Sequence, residues 1–498
     1  MIETSLKQRT RPIRWLVFLF VWAAHGNPLL GQDVDRTSRL PLDAIVNARF
    51  EDVEARITSA NLSQTEASYV RMHGRATAFV VTASASYESQ FWEAVDQYSI
   101  DRSETSELRA RLLQAELAFH RAVVRARSEQ YIRSALDVRS AYDQYKAILA
   151  DDPDHVDAMM RLGTIEMMLS NLPDILRSLL RIVGINSDVN VAVERIEYAI
   201  SADPEHIAEY VALYALIDQM VFDFRLGSER HLTRIYEAYP ESPILGAILI
   251  NTLRRQQRVD EAMQIADTVT ELHEAPDLVP MFALELAELA YVTEAFEDGV
   301  LRYESYLKVA GSGAKALPLL RLATCLEMLD NPRATAVYAQ INGREAFDSD
   351  VFAERVSVRR RSTGMLPVER ALLLASLAYD RGDYPRARQR LDQIVTDEAE
   401  PHFRAEKTYR LALLAEQAGN LIEAQRLYEQ AARTSDQDSY RWGPWGWYHS
   451  ARLLESQGHY QRARSHLQHA EDWKVRYDYE QTLKRQITIL ATTLSQAR

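Results

Sequence analysis

Small residues recur along this chain with a large apolar residue four positions later and an apolar or small one seven positions later. That spacing lays all three on one face of a helix, with the small side chain where a neighbouring helix comes closest. Ala141, Tyr145 and Ile148 form one set, and Ala192, Ile196 and Ala199 another. Each is followed by an Asp-Pro pair, ending in Pro153 and Pro204, that closes the helix and opens the next hairpin. The series continues through Ala262, Ala266, Val269, then Gly299, Tyr303, Tyr306, then Ala334, Tyr338, Ile341. Ala387, Leu391, Ile394, then Ala424, Tyr428, Ala431, and finally Ala463, Leu467, Ala470 complete it.

Helical hairpins of this period predict stacked pairs. Gly382, Gly419 and Gly458 stand five residues before the small position of three units, where the turn between paired helices needs a permissive backbone. The pattern resembles tetratricopeptide repeats, well matched over residues 368–470 and degenerate between 120 and 345. Two longer intervals, Ala141 to Ala192 and Ala334 to Ala387, hold distinctive segments, Leu172–Ile185 and Ile341–Arg344 with Phe352–Arg361. With the repeats around them, over roughly residues 100–480, these segments resemble the tetratricopeptide repeat protein 39 family, which includes the fungal inclusion-body clearance protein. The resemblance implies a helical interaction scaffold without established catalytic residues.

The expected fold is therefore all-α: a tetratricopeptide-repeat-like α-solenoid, a superhelix of antiparallel helix pairs with a C-terminal capping helix over Asp472–Gln496. The expected organisation is a signal peptide over 1–31, a largely irregular linker over 32–66, a degenerate array over 67–365 and well-matched repeats with the cap over 366–498. Insertions are expected at 165–190 and 343–366. Lys7, Arg9, Arg11 and Arg14 precede the apolar stretch Trp15–Ala24, the layout of a secretory signal and too short for a permanent span. Cleavage after Gly26 or Gly31 is expected, which places the protein in the periplasm or cell envelope; the alternative is an uncleaved anchor. No transmembrane segment is expected after cleavage.

Composition narrows the functions. Glycine and proline number only 17 and 16 in 498 residues, which favours long helices over an all-β sandwich. The balance of 71 acids to 58 bases, a net charge of −13, repels phosphate and argues against nucleic acid as the partner. A single cysteine, Cys325, excludes an internal disulfide and reads as a small core residue.

Candidate chemistry is sparse. Gly311-Ser-Gly313 lacks the spacing and Lys-Ser/Thr ending of a phosphate loop. His466 and His469 lie three apart without further ligands, so no metal, cofactor or catalytic residue is assigned. Asn61-Leu-Ser63 matches a glycosylation sequon. Leu172–Ile185 reads as an extra helix filling the solenoid, or as an amphipathic element for peripheral membrane contact.

Two groups stand as partner-binding candidates. Trp442 and Trp445 sit with Gly443, Pro444 and Gly446 in what reads as a loop outside the regular repeat, whereas Trp447 reads as packing between paired helices. Arg355, Arg359, Arg360 and Arg361 form a basic run that would receive an acidic partner or serve as internal salt-bridge partners. The sequence thus points to an exported scaffold that holds a protein or peptide in a concave groove lined by the first helices of each pair. The alternatives are a glycan-active enzyme on a helical toroid and a carrier of a hydrophobic ligand.

Overall fold

The computed structural model describes residues 40–496 except 104, 129, 171–187, 203–207, 223–225, 311–314, 342–347, 397–399 and 436–437. The proposed signal segment, Leu172–Ile185 and most of the Gly311-Ser-Gly313-Ala-Lys315 stretch fall outside the described residues. Every described residue in regular structure is helical, in 24 α-helices with short 3-10 and π turns. The helices pack into two compact units.

The first unit draws on Met1–Leu253, Asp260–Glu285 and Ser305–Gly313. It begins with α1 (Leu40–Val46), α2 (Val53–Ser59), α3 (Gln64–Thr82) and α4 (Ala85–Asp96). Next come α5 (Glu107–Arg127), α6 (Tyr131–Asp151), α7 (Val156–Ser170), α8 (Val189–Ala202), α9 (Ala208–Ile217) and α10 (Glu229–Ala238). Each of these helices packs on a helix adjacent to it in the chain, the nearest-neighbour scheme of a solenoid. The expectation of a largely irregular segment up to residue 66 is corrected here. Leu42, Ile45, Val46, Phe50, Val53 and Ile57 are buried, and a Cβ at Gly74 of α3 would stand 3.3 Å from the Ile45 side chain, so α1 lies directly on α3. The short polar stretches between these apolar residues hide the pattern. Ser63 of the sequon is the N-cap of α3: its hydroxyl accepts from Glu66 N and the Glu66 carboxylate accepts from Ser63 N, a capping box.

Four helices contribute residues to both units: α11 (Pro243–Arg255), α12 (Val259–Leu272), α13 (Pro280–Val292) and α14 (Phe296–Val309). The second unit comprises Arg254–Val259, Leu286–Glu304 and Ala314–Arg498, so a division at residue 366 falls inside it. Its remaining helices begin with α15 (Ala316–Met328), α16 (Arg333–Tyr338), α17 (Asp348–Thr363), α18 (Pro367–Asp380) and α19 (Tyr384–Gln393). They end with α20 (Pro401–Gln417), α21 (Leu421–Ser435), α22 (Trp442–Ser456), α23 (Tyr460–Glu471) and α24 (Glu480–Gln496). The long interval between Ala334 and Ala387 is filled by α17, which packs on α15 and α16.

All the repeat triplets are buried. Ala424, Tyr428 and Ala431 have no exposure, nor do Ala141, Tyr145 and Ile148. Gly299 shows why the first position is small, since a Cβ there would meet Cys325 Sγ at 3.1 Å.

The three hairpin glycines adopt positive φ, and they differ in surroundings. Gly382, at +88°, faces the Gln257 carbonyl oxygen 2.5 Å from where a Cβ would stand, whereas Gly419, at +74°, has nothing within 4 Å. Gly419→Ala should cost only the left-handed backbone penalty, roughly 1–2 kcal/mol. Gly382→Ala adds a collision with backbone, a further ~1–3 kcal/mol. Thermal unfolding of the two variants side by side checks the order, and equal losses would contradict it.

The cap departs from expectation. Asp472–Tyr479 is not helical and α24 starts only at Glu480, because Asp348 of α17 caps it from a distance, accepting from Thr482 N at 2.8 Å and Thr482 Oγ1 at 2.9 Å. Helix α24 therefore packs on α17 as well as on α22 and α23. In this unit the array is not open along its whole length, since its last helix returns to the inserted one.

Candidate functional site

That return encloses a cavity of about 260 Å³. The first helices of successive pairs, α13, α15, α18, α20 and α22, supply most of its wall, joined by α17 and the Asp478-Tyr479 turn. A second cavity of about 250 Å³ shares Tyr291, Arg321, Leu377 and Asp380 with it. Together the two are lined by eight arginines and five carboxylates, a positive interior in a chain of net charge −13.

Most of these charges are matched within the wall. Arg359 pairs with Glu369, and Arg355 with Asp478. Arg410 Nε donates to Glu406 at 2.9 Å. Arg360 reaches Glu327 at 3.1 Å and the Tyr338 hydroxyl at 3.0 Å. Glu288 takes Arg254 at 3.5 Å and Arg321 at 3.9 Å. Rings back the guanidinium planes: Arg321 lies 4.3 Å from the Tyr291 centroid and Arg355 5.1 Å from that of Tyr440.

Two charges are different. Asp380 accepts one long hydrogen bond, 3.4 Å from Ser376 Oγ, and Arg441 rests on Trp442 (4.7 Å) and Tyr479 (5.2 Å). Neither has an ion-pair partner among the described residues. The Asp380 side chain reaches water inside the cavity, yet the surrounding walls raise its carboxyl above the ordinary range, opposed by Arg410, Arg321, Arg441 and Arg254.

The basic run of the sequence divides accordingly. Arg355, Arg359 and Arg360 all line the cavity, already paired, while Arg361 is exposed at the end of α17. The tryptophans require a correction. Trp442 and Trp445 belong to α22, not to a loop, and Trp442 is only 6% exposed. Pro444 falls in the first turn, where a missing N–H costs nothing. The two glycines serve close approach: a Cβ at Gly446 would stand 2.7 Å from the Tyr428 carbonyl oxygen, and one at Gly443 would strike the Trp473 ring. Trp442 packs on Tyr409 (5.3 Å) and lines the cavity. Trp447, as expected, is half-buried against the α22–α24 core, between His466 and His469.

Asp380, Arg441, Arg410 and His402 belong to no motif that the sequence displays. An acid on the last residue of a helix and a base at the head of one are the available signals, since both oppose the helix dipole. Burial pushes the Cys325 thiol up to about 12, in keeping with a core residue. No cluster of three potential metal ligands occurs among the described residues, and none of their helices is long and apolar enough to cross a membrane.

No family model matches the chain, and no curated protein matches it. Among solved structures, yeast Tom70 is similar at 14% identity with a TM-score of 0.33, covering 85% of this chain and 89% of that one. A human IFIT1 dimer with PPP-AAAA is similar at 12% identity and a TM-score of 0.32, covering 88% and 95%. The Cut9–Hcn1 hetero-tetramer of APC/C follows at 10% and 0.25, covering 93% and 96%.

Proposed function

We propose that this chain is a non-catalytic interaction scaffold that holds a segment of a partner protein in the arginine-rich cavity of its second unit. The observation that carries the reading is the wall itself: stacked first helices line a water-accessible space rich in arginine, in which Asp380 and Arg441 form no close ion pair among the described residues. A space of about 260 Å³ lies near the lower end of ligand pockets, roughly 300–1,000 Å³. It suits a few side chains of a peptide better than a folded domain. Its charged lining is poorly suited to a carrier of an apolar ligand.

The reading includes export to the cell envelope, supported by the basic residues before Trp15–Ala24. It also includes kinship with the tetratricopeptide repeat protein 39 family, supported by the two inserted segments. The test places a photocrosslinking benzoylphenylalanine at Leu373, on the cavity wall, and at Gln430, exposed on α21. Discrete partner adducts are expected from Leu373 and not from Gln430, on chains beginning at Asn27 or Gln32 in the envelope fraction. Equal labelling from both positions would remove the cavity from the interaction.

A further inference from the structure

The cavity wall holds more positive charge than it matches. Eight arginines against five carboxylates line it and its neighbour. Arg359, Arg355, Arg410 and Arg360 are each bound to an acid. Arg441 is not: among the described residues it forms no ion pair and no side-chain hydrogen bond, and the rings of Trp442 and Tyr479 hold its guanidinium at 4.7 and 5.2 Å. It is half-buried on the cavity wall, and its nitrogens keep contact with water. Stacked rings fix a guanidinium without occupying its N–H groups. A planar fork held in one orientation is the geometry that receives a carboxylate through two parallel hydrogen bonds.

Asp380 lies in the same field. It lines both cavities and is open to water. Guanidinium groups from four helices act on its charge: Arg410 of α20, Arg321 of α15, Arg441 at the head of α22 and Arg254 of α11. None closes to ion-pair distance, and the only side-chain hydrogen bond to Asp380 is the long one from Ser376. Arg255 of α11 and both Glu288 and Tyr291 of α13 share the second cavity with it. Glu406 of α20 is taken by Arg410, and Tyr379 precedes Asp380 on its own helix. Asp380 thus supplies negative charge to several arginines at a distance while bonding to none of them.

A second carboxylate brought to Arg441 would share the cavity with Asp380, and two like charges in one site raise each other's proton affinity. We propose that Arg441 receives an acidic side chain of the partner segment, glutamate or aspartate, and that Asp380 is the resident counter-charge that yields to it by taking a proton from solvent. The proton returns to solvent when the segment leaves. One free fork beside an opposing carboxylate suits a single carboxylate and not a polyphosphate, since the neighbouring arginines are already committed. The adjoining second cavity gives the chain room to continue, which selects an internal side chain over a chain end. This rests on the scaffold reading above and names the chemistry of its occupant.

The bound state holds more protons than the free one, so binding tightens as pH falls. The test measures fluorescence anisotropy of the full chain with a labelled, acetylated and amidated peptide of alternating glutamate and serine. A lysine-serine peptide and inorganic triphosphate serve as controls. The glutamate peptide is expected to bind about tenfold tighter near pH 5.5 than near pH 7.5, a range above that in which its own carboxylates titrate. Asp380→Asn should bind it within about threefold of the low-pH affinity at both pH values. Arg441→Gln should weaken it by about tenfold at both, with Arg441→Lys, which keeps the charge and loses the fork, in between. Burial pushes the His402 imidazole toward its neutral form, and a pH response that belonged to it would survive in Asp380→Asn. Melting curves are expected to show all three variants folded, since Asp380 and Arg441 each sit at the less favourable end of a helix dipole.

An Asp380→Asn variant that keeps the pH response overturns the proposal, as do an Arg441→Gln variant of unchanged affinity and triphosphate or the lysine peptide binding as well as the glutamate peptide. So does the absence of glutamate-peptide binding. In that case Leu373 crosslinking separates the two ideas: adducts there leave the scaffold standing with a different occupant, and their absence removes both.

Discussion

Arg161→Met is expected to destabilise the first unit by about 3–5 kcal/mol, the usual consequence of stripping one partner from a buried ion pair. Arg161 on α7 and Glu116 on α5 are both wholly buried. Two parallel hydrogen bonds of 2.8 Å join them, Nε to Oε1 and Nη2 to Oε2. The guanidinium sits between the rings of Phe119 (4.6 Å) and Tyr210 (5.1 Å). Without it, the Glu116 carboxylate keeps the Tyr145 hydroxyl at 2.6 Å, a longer contact to Tyr69, and His120 at 3.6 Å, with no permanent cation. Burial, with the Glu116 charge beside it, holds the Tyr145 hydroxyl well above its ordinary range, so it stays a donor and cannot neutralise the carboxylate. Hydrogen exchange should show lost protection in α5 and α7. Glu116→Leu combined with Arg161→Met should recover most of the loss, since apolar replacement of a whole buried pair is commonly neutral or better. A double variant as unstable as the single one would mean that the network has a role beyond matching its own charges.

Trp442→Ala is the second large effect, an expected loss of about 3–5 kcal/mol from the second unit, in the range for truncating a buried aromatic. The ring packs on Tyr409 and lies beneath the guanidinium groups of Arg441 and Arg410, at 4.7 and 5.4 Å. Trp445→Ala should cost clearly less, because Trp445 is only half-buried, edge-on to Tyr448 at 6.0 Å. Denaturant unfolding of the two single variants gives the comparison. A Trp442→Ala variant as stable as Trp445→Ala would return Trp442 to the surface role its neighbours in sequence suggest.

The contrast between these tryptophans and the alanines of the repeat shows what a one-dimensional pattern can carry. Ala424, Tyr428 and Ala431 meet their neighbours through helix periodicity alone, so four- and seven-residue offsets locate a buried face directly. Gly382, Gly419 and Gly458 are equally legible because a left-handed turn is a local demand. Trp442-Gly-Pro-Trp-Gly reads falsely as a loop because the same residues that break a helix interior are tolerated in its first turn or required where another backbone comes close. The cavity is not legible at all as a unit. Asp380 and Arg441 are brought together by stacked hairpins, and whether a charge finds a partner depends on the fold of the whole unit. The basic run is half-legible, since its internal pairing follows from composition, whereas Arg441, which lies outside the run and forms no ion pair among the described residues, carries no such signal.

The contact of α24 with α17, reached through Asp348 on Thr482 and Arg355 on Asp478, also sets an order of assembly within the second unit. Earlier hairpins can stack one on the next, since each needs only its neighbour. The chamber wall is complete only when the segment around residue 480 has docked, so a chain cut short before that point would keep its hairpins and lose the enclosure.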